Sequence, residues 1–128
     1  MNFSTSFNTS IMRNFRALNV WQDAMKLVKE IYLLTKALPQ TEKFGLISQM
    51  QRCAVSIPAN IAEGSAKYSQ KDFVRFLQIG LGSSYELETY LVICTDLQFF
   101  SKTESIKVLG KVQLLQRRLG SLIKYYNK

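Results

Sequence analysis

Along most of this chain, apolar positions recur at intervals of three and four residues. That period lines one face of an α-helix, and no stretch alternates for long as a strand does. Leu27, Ile31, Leu34 and Leu38 form the first such stripe and predict a helix from about Asn19 to Leu38. Asn19 with Gln22 three residues on reads as a capping box, and Pro39 as the stop. A second helix is predicted from about Thr41 to Glu63, with Gly64 as its terminator. Pro58 falls inside it, and the pattern keeps its phase across the proline, so a kink is expected rather than a break. The third predicted helix, about Gln70 to Gln98, opens on Ser69 and Asp72 and carries Phe73, Phe76, Leu77, Leu81, Leu87, Leu91 and Cys94 on a broad apolar face. Gly80 and Gly82 inside it each cost about 1 kcal/mol relative to alanine, so another helix is expected to come close at that level. The fourth, about Lys102 to Tyr126, follows a capping box at Ser101 and Glu104. Its Val112, Leu115, Leu119, Leu122 and Tyr126 make a heptad-like seam suited to bundle packing.

The predicted connections are short, so consecutive helices should run antiparallel. The expected fold is an all-α, up-down-up-down antiparallel four-helix bundle over residues 15–128, preceded by a loosely ordered tail over residues 1–14. A chain of 128 residues is long enough to bury one core. The stretch MNFSTSFNTSIM has neither a charged start nor a sustained apolar run, so it is not read as a secretory signal. No apolar run approaches the roughly 20 residues of a membrane span, and no membrane partner is expected. Cys53 and Cys94 lie among apolar neighbours and read as buried thiols of a reducing compartment, with the protein placed in the cytoplasm. The chain contains no histidine. This excludes imidazole catalysis and histidine metal sites, and two cysteines cannot supply a four-ligand zinc site. No metal, cofactor or catalytic residue is expected.

The second helix carries polar residues where core is expected. Gln49, Arg52, Ser56, Asn60 and Glu63 share one face, and few lysines or glutamates cover the rest of that helix. On the third helix Gln78, Gly82, Glu86 and Thr89 share a face flanked by Tyr85 and Glu88. If the two stripes meet, Arg52 can pair with Glu86 or Glu88, and Ser56 and Asn60 can fill the remaining hydrogen bonds. The stripe is open to several uses: a solvated face, an internal polar network, an inter-subunit surface or an active site. Glu63, Glu86 and Glu88 are the carboxylates that an all-oxygen metal site would draw on.

The stretch from Ser48 to Glu88, SQMQRCAVSIPANIAEGSAKYSQKDFVRFLQIGLGSSYELE, resembles the signature of the four-helix bundle proteins encoded in intervening sequences of bacterial 23S ribosomal RNA genes. The S-I-P-x-N-I-A-E-G run at Ser56 to Gly64 and the G-S-x-x-E-L-E run at Gly82 to Glu88 carry most of the likeness, and Leu18 to Gln49 fits the same pattern. The resemblance implies a left-handed bundle that assembles as a homopentamer, has no enzymatic activity and serves an RNA-related role. A related bundle acts as an accessory subunit to reverse transcriptases. The motif residues Arg52, Ser56, Asn60, Glu63, Gly82, Ser83, Glu86 and Glu88, together with Gln49, are then structural or assembly residues.

Charge adds a second candidate surface. The chain carries 17 basic and nine acidic residues, a net charge of +8. Residues 101–128 hold seven bases and one acid, while the rest of the chain is only +2. Lys107, Lys111 and Arg118 fall close to one face of the fourth helix, and Arg117, Lys124 and Lys128 on the neighbouring one. These six are the candidate nucleic-acid contacts, binding phosphates without reading sequence. No helix-turn-helix, zinc-finger or RNP-type motif is present. Tyr125 offers a ring for base stacking, while Tyr126 fits the seam. The function read from this is a homo-oligomeric, non-enzymatic bundle that binds RNA or DNA. The other reading is an oligomeric adaptor for a protein partner such as a polymerase or reverse transcriptase.

Overall fold

The computed structural model describes residues 13–127. The tail expected over residues 1–14 and the candidate contact Lys128 lie outside them, Arg13 and Asn14 excepted. Arg13 is tied down, its Nη1 donating to the Lys67 carbonyl at 2.6 Å. Four helices follow: α1 (Asn19–Thr35), α2 (Ser48–Ser65), α3 (Gln70–Asp96) and α4 (Lys102–Tyr126), with no strand among the described residues.

The helix ends show where local signals hold. Ser69 accepts from the Asp72 amide at 3.0 Å and Ser101 from the Glu104 amide at 3.1 Å, as the capping patterns predict. Asn19 does not cap α1. Leu18 holds the cap position without a side-chain bond, and the Gln22 amide donates instead to the Arg16 carbonyl at 2.8 Å. α1 ends at Thr35 rather than Leu38. Lys36, Ala37 and Leu38 bond three residues back, a tightened turn that suits the approach to Pro39.

α2 begins at Ser48, later than its pattern predicts. A 3₁₀ turn at Gln40–Glu42 and a wide turn at Lys43–Ile47 precede it, because Gly45 leaves helical geometry at φ −107°, ψ −106°. The helix then runs through the buried Pro58 to Ser65. Gly64 is not a terminator. It is buried inside the helix, and a Cβ there would stand 2.7 Å from Phe76 Cβ. α3 stops at Asp96, two residues early. Gln98 takes φ 63°, and the Gln98 and Phe99 amides bond back to Thr95 and Cys94. That is a Schellman closure built without glycine.

The contacts run in opposite directions along neighbouring helices. Met50 meets Cys94, Ser56 meets Ser83 and Gly64 meets Phe76 between α2 and α3. Thr95 meets Ser105 and Phe73 meets Tyr126 between α3 and α4. Glu30 meets Lys111 and Asp23 meets Arg118 between α1 and α4. α1 also packs on α2, so the four helices enclose one core. Ala24, Ile31, Met50, Ile57, Ile61, Phe73, Leu77, Leu87, Val112 and Leu119 are all fully buried there.

Candidate functional site

The polar stripe of α2 is in part an internal network. The Ser56 and Ser83 hydroxyls share a hydrogen bond at 2.8 Å. Asn60 Nδ2 donates to Ser56 Oγ at 2.9 Å and to the Ser56 carbonyl at 2.8 Å. α2 and α3 come close beside it: a Cβ on the buried Gly80 would lie 3.6 Å from the Ile57 carbonyl oxygen. Gly82 does not share in this. It is exposed, and a Cβ there would meet nothing within 4 Å.

The expected ion pair of Arg52 with Glu86 or Glu88 does not form. The ion pairs among the described residues are Arg75–Asp72, Lys111–Glu30 and Arg118–Asp23. Glu88 lies on the other side of α3, where it accepts from Gln116 Nε2 at 2.8 Å and Gln113 Nε2 at 3.4 Å. The Glu86 carboxylate lies close enough to the Cys53 thiol and the Tyr90 hydroxyl to raise the pKa of both. Burial pushes the Cys53 thiol up to about 12, the Glu86 charge adds to the shift and Arg52 opposes it. The Tyr90 hydroxyl is raised by desolvation and then by Glu86. Cys94, beside Met50 Sδ at 3.7 Å, is raised by burial to about 11. Both cysteines are free and buried. Gln49 is half-buried, and Glu63 is exposed near the far end of α2. Glu63, Glu86 and Glu88 are thus not brought together, and no three Cys, Asp or Glu side chains cluster to hold a metal among the described residues.

Lys107, Lys111, Arg117, Arg118 and Lys124 are all exposed on α4. Two of them are already answered from α1. Lys111 Nζ reaches both Glu30 oxygens at 2.9 Å, and Arg118 pairs with Asp23. The seven-residue step from Lys111 to Arg118 matches the step from Glu30 back to Asp23 on the antiparallel helix. Lys107, Arg117 and Lys124 are in no ion pair among the described residues.

Arg117 stands between two surface grooves. One, of about 550 Å³, is lined by Leu18, Asn19, Ser121 and Tyr125 among others. The other, of about 700 Å³, runs between α3 and α4 past Tyr85, Val92, Ile93 and Gln116. Tyr126 packs edge-on against Phe73 at 5.2 Å, and Tyr125 packs on Tyr126 at 4.9 Å while remaining 61% exposed. Sequence reasoning did not find Gln113 and Gln116 as partners of Glu88. Their position three apart beside the α4 seam is the only signal they leave. No described helix is long and apolar enough to cross a membrane.

A family model described as 23S rRNA-intervening sequence protein matches residues 16–121. Among solved structures, the chain is similar to a protein of unknown function from the S23 ribosomal protein family of Bacteroides thetaiotaomicron VPI-5482, a crystal structure at 1.70 Å resolution. The two are 25% identical, superpose with a TM-score of 0.77, and align over 82% of this chain and 98% of the other. No curated protein matches the chain.

Proposed function

The chain belongs to the 23S rRNA-intervening sequence protein family, and from that membership and its surface charge we propose that it is a non-enzymatic, self-associating bundle that binds RNA or other nucleic acid through α4. The observation that carries this reading is the charge of α4. Residues 101–128 hold seven of the 17 basic residues, and after α1 has engaged Lys111 and Arg118, the exposed Lys107, Arg117 and Lys124 still have no ion-pair partner among the described residues. Such a surface binds phosphates without reading sequence, with affinity that falls steeply as salt rises. Self-association is supported by the outward side of α3, where Ile79, Tyr85, Val92 and Ile93 stay exposed. The pentamer is the assembly that the family resemblance implies, and the cytoplasm the compartment.

The test is binding to structured RNA and to duplex DNA across a salt series, with the assembly mass measured in the same buffer. Salt-steep binding by a species about five times the monomer mass is expected, with loss in a Lys107→Glu/Arg117→Glu/Lys124→Glu variant. A well-formed oligomer that binds neither at low salt sinks the reading.

The groove between α3 and α4 favours a second reading, an oligomeric adaptor. Its Tyr85, Val92 and Ile93 suit a protein surface better than a phosphate backbone. A pull-down from the native host that survives nuclease treatment supports the adaptor over the first reading.

A further inference from the structure

Cations far apart in the sequence meet at one end of the bundle. Here the chain enters α1, α2 turns into α3, and α4 finishes. Arg13 bridges this end, donating to the Lys67 carbonyl at 2.6 Å while its guanidinium lies 4.3 Å from the centre of the Phe73 ring. Phe73 carries Tyr126, and Tyr126 carries Tyr125. The Lys67 ammonium sits 4.9 Å from the Phe76 ring, and the Arg16 guanidinium 5.8 Å from Trp21. Lys71 is exposed in the first turn of α3, and Arg117 shares a groove with Tyr125 and the start of α1.

Arg13, Arg16, Lys67, Lys71, Arg117 and Lys124 therefore surround one end, and none is in an ion pair among the described residues. Of the acids nearby, Asp72 pairs with Arg75 and Asp23 with Arg118, and Glu63 is the one in no ion pair among the described residues, so cations outnumber acids at this end. At the opposite end Lys36, Lys43, Lys102 and Lys107 are set against Glu42, Asp96 and Glu104, so charge there is close to balanced.

Two rings among the cations are largely exposed to solvent. Tyr68, in the α2–α3 connection, is 82% exposed, and Tyr125 is 61% exposed. Cations between exposed aromatic rings fit an unpaired strand: the phosphates follow the charges and each loose base can stack on a ring. A duplex offers the same phosphates, but its bases are already stacked on one another. An acidic protein surface would use the charges and leave the rings idle.

We propose that this end of the bundle is a binding surface for single-stranded nucleic acid, with bases stacked on Tyr68 and Tyr125 and phosphates held by the cations around them. The proposal rests on the nucleic-acid reading above and moves the main contact from the flank of α4 to the end of the molecule.

Fluorescence anisotropy with a labelled 12-nucleotide oligouridylate and a 12-base-pair RNA duplex, at matched salt, tests it. The wild type is expected to prefer the single strand. Tyr68→Ala/Tyr125→Ala should weaken oligouridylate binding by about tenfold or more and leave duplex binding unchanged. Tyr68→Ala alone, at the more exposed ring, repeats the test without altering α4. Arg16→Glu/Lys71→Glu/Lys124→Glu should flatten the salt dependence by about 2 in log–log slope, at roughly 0.7 per lost single-strand phosphate contact. Lys36→Glu/Lys43→Glu, at the opposite end and off α4, should change neither. Thermal melts establish that each variant is folded.

Ring removal without effect, equal loss on both probes, or loss confined to the Lys36→Glu/Lys43→Glu variant overturns the end surface while leaving nucleic-acid binding standing. Loss on charge reversal without loss on ring removal also overturns it, leaving a surface that holds phosphates and stacks no bases. Failure of the wild type to bind either probe at low salt overturns the earlier reading along with this one.

Discussion

The seam between α2 and α3 and the seam between α1 and α4 are built on different physics. Between α2 and α3 the backbones approach closely. Gly64 lies against Phe76, Gly80 lies beside the Ile57 carbonyl, and Ser56, Asn60 and Ser83 bond to one another in the space between. The S-I-P-x-N-I-A-E-G run is the α2 side of this seam: Ile57, Pro58, Ile61 and Gly64 are buried and Ser56 and Asn60 make the bonds. Between α1 and α4 the visible links are half-exposed ion pairs, Lys111 with Glu30 and Arg118 with Asp23. Close packing penalises any added atom, whereas surface ion pairs contribute little each and fade with salt. The family motif thus lies where geometry is strict, and the charges available for binding lie where it is forgiving.

The largest expected effect comes from crowding the strict seam. Gly64→Val places side-chain atoms where Phe76 Cβ already stands 2.7 Å from a Cβ position, and should lower unfolding free energy by about 3 kcal/mol or more. Urea denaturation measures it. A loss below about 1 kcal/mol would mean that α2 and α3 part easily and that the two seams do not differ in kind.

Alkaline pH should act on the same seam. Cys53 is raised to about 12 and Cys94 to about 11 from an ordinary 9.0, so their folded pKa lies above their unfolded one. Above pH 9 the unfolded chain sheds thiol protons that the folded chain keeps. The stabilisation is therefore whole below pH 9 and is lost as pH climbs toward 11 to 12. Denaturant melts between pH 8 and pH 11 should show a falling stability whose slope is shallower in Cys53→Ala. An equal slope in both would show that the Cys53 thiol is not held protonated by its surroundings.

Gly82→Ala sharpens the contrast from the opposite side. The site is helical, exposed and open, so alanine should stabilise the folded chain by about 1 kcal/mol. The same variant monitored by light scattering tests whether Gly82 is an assembly residue. A more stable subunit that no longer associates would place it at a contact between copies.

The smallest effect belongs to the forgiving seam. A double-mutant cycle on Asp23→Ala and Arg118→Ala should give a coupling of about 0.2–1 kcal/mol that shrinks at high salt. A coupling of several kcal/mol would make the α1–α4 seam as strict as the other.

How legible these features were follows from how local they are. Ser69 and Ser101 could be assigned as caps because donor and acceptor lie three residues apart. The polar stripe could be drawn because Ser56 and Asn60 are one turn apart on the same helix. Gly64 was misread because a glycine near a helix end marks a terminator in one setting and a close contact in another, and only Phe76, twelve residues on, separates the two. Asn19 resembled a cap by residue type, but the backbone turn falls one residue earlier, at Leu18. Glu30 and Asp23 could not be assigned to Lys111 and Arg118, which lie 81 and 95 residues away.

The chain by itself determined four helices, their buried faces, two of their caps, the family motif and the excess of positive charge. All of these depend on burial period, residue type and bonds spanning three or four positions, which any segment carries within itself. Only the tertiary structure decided that Glu88 turns to α4 and leaves Arg52 with no ion pair among the described residues, that α1 engages two of the basic residues of α4, and that Arg13, Lys67, Lys71 and Lys124 meet at one end. Those outcomes hang on the register between helices and on how the turns close, and neither is written into the period of any one helix.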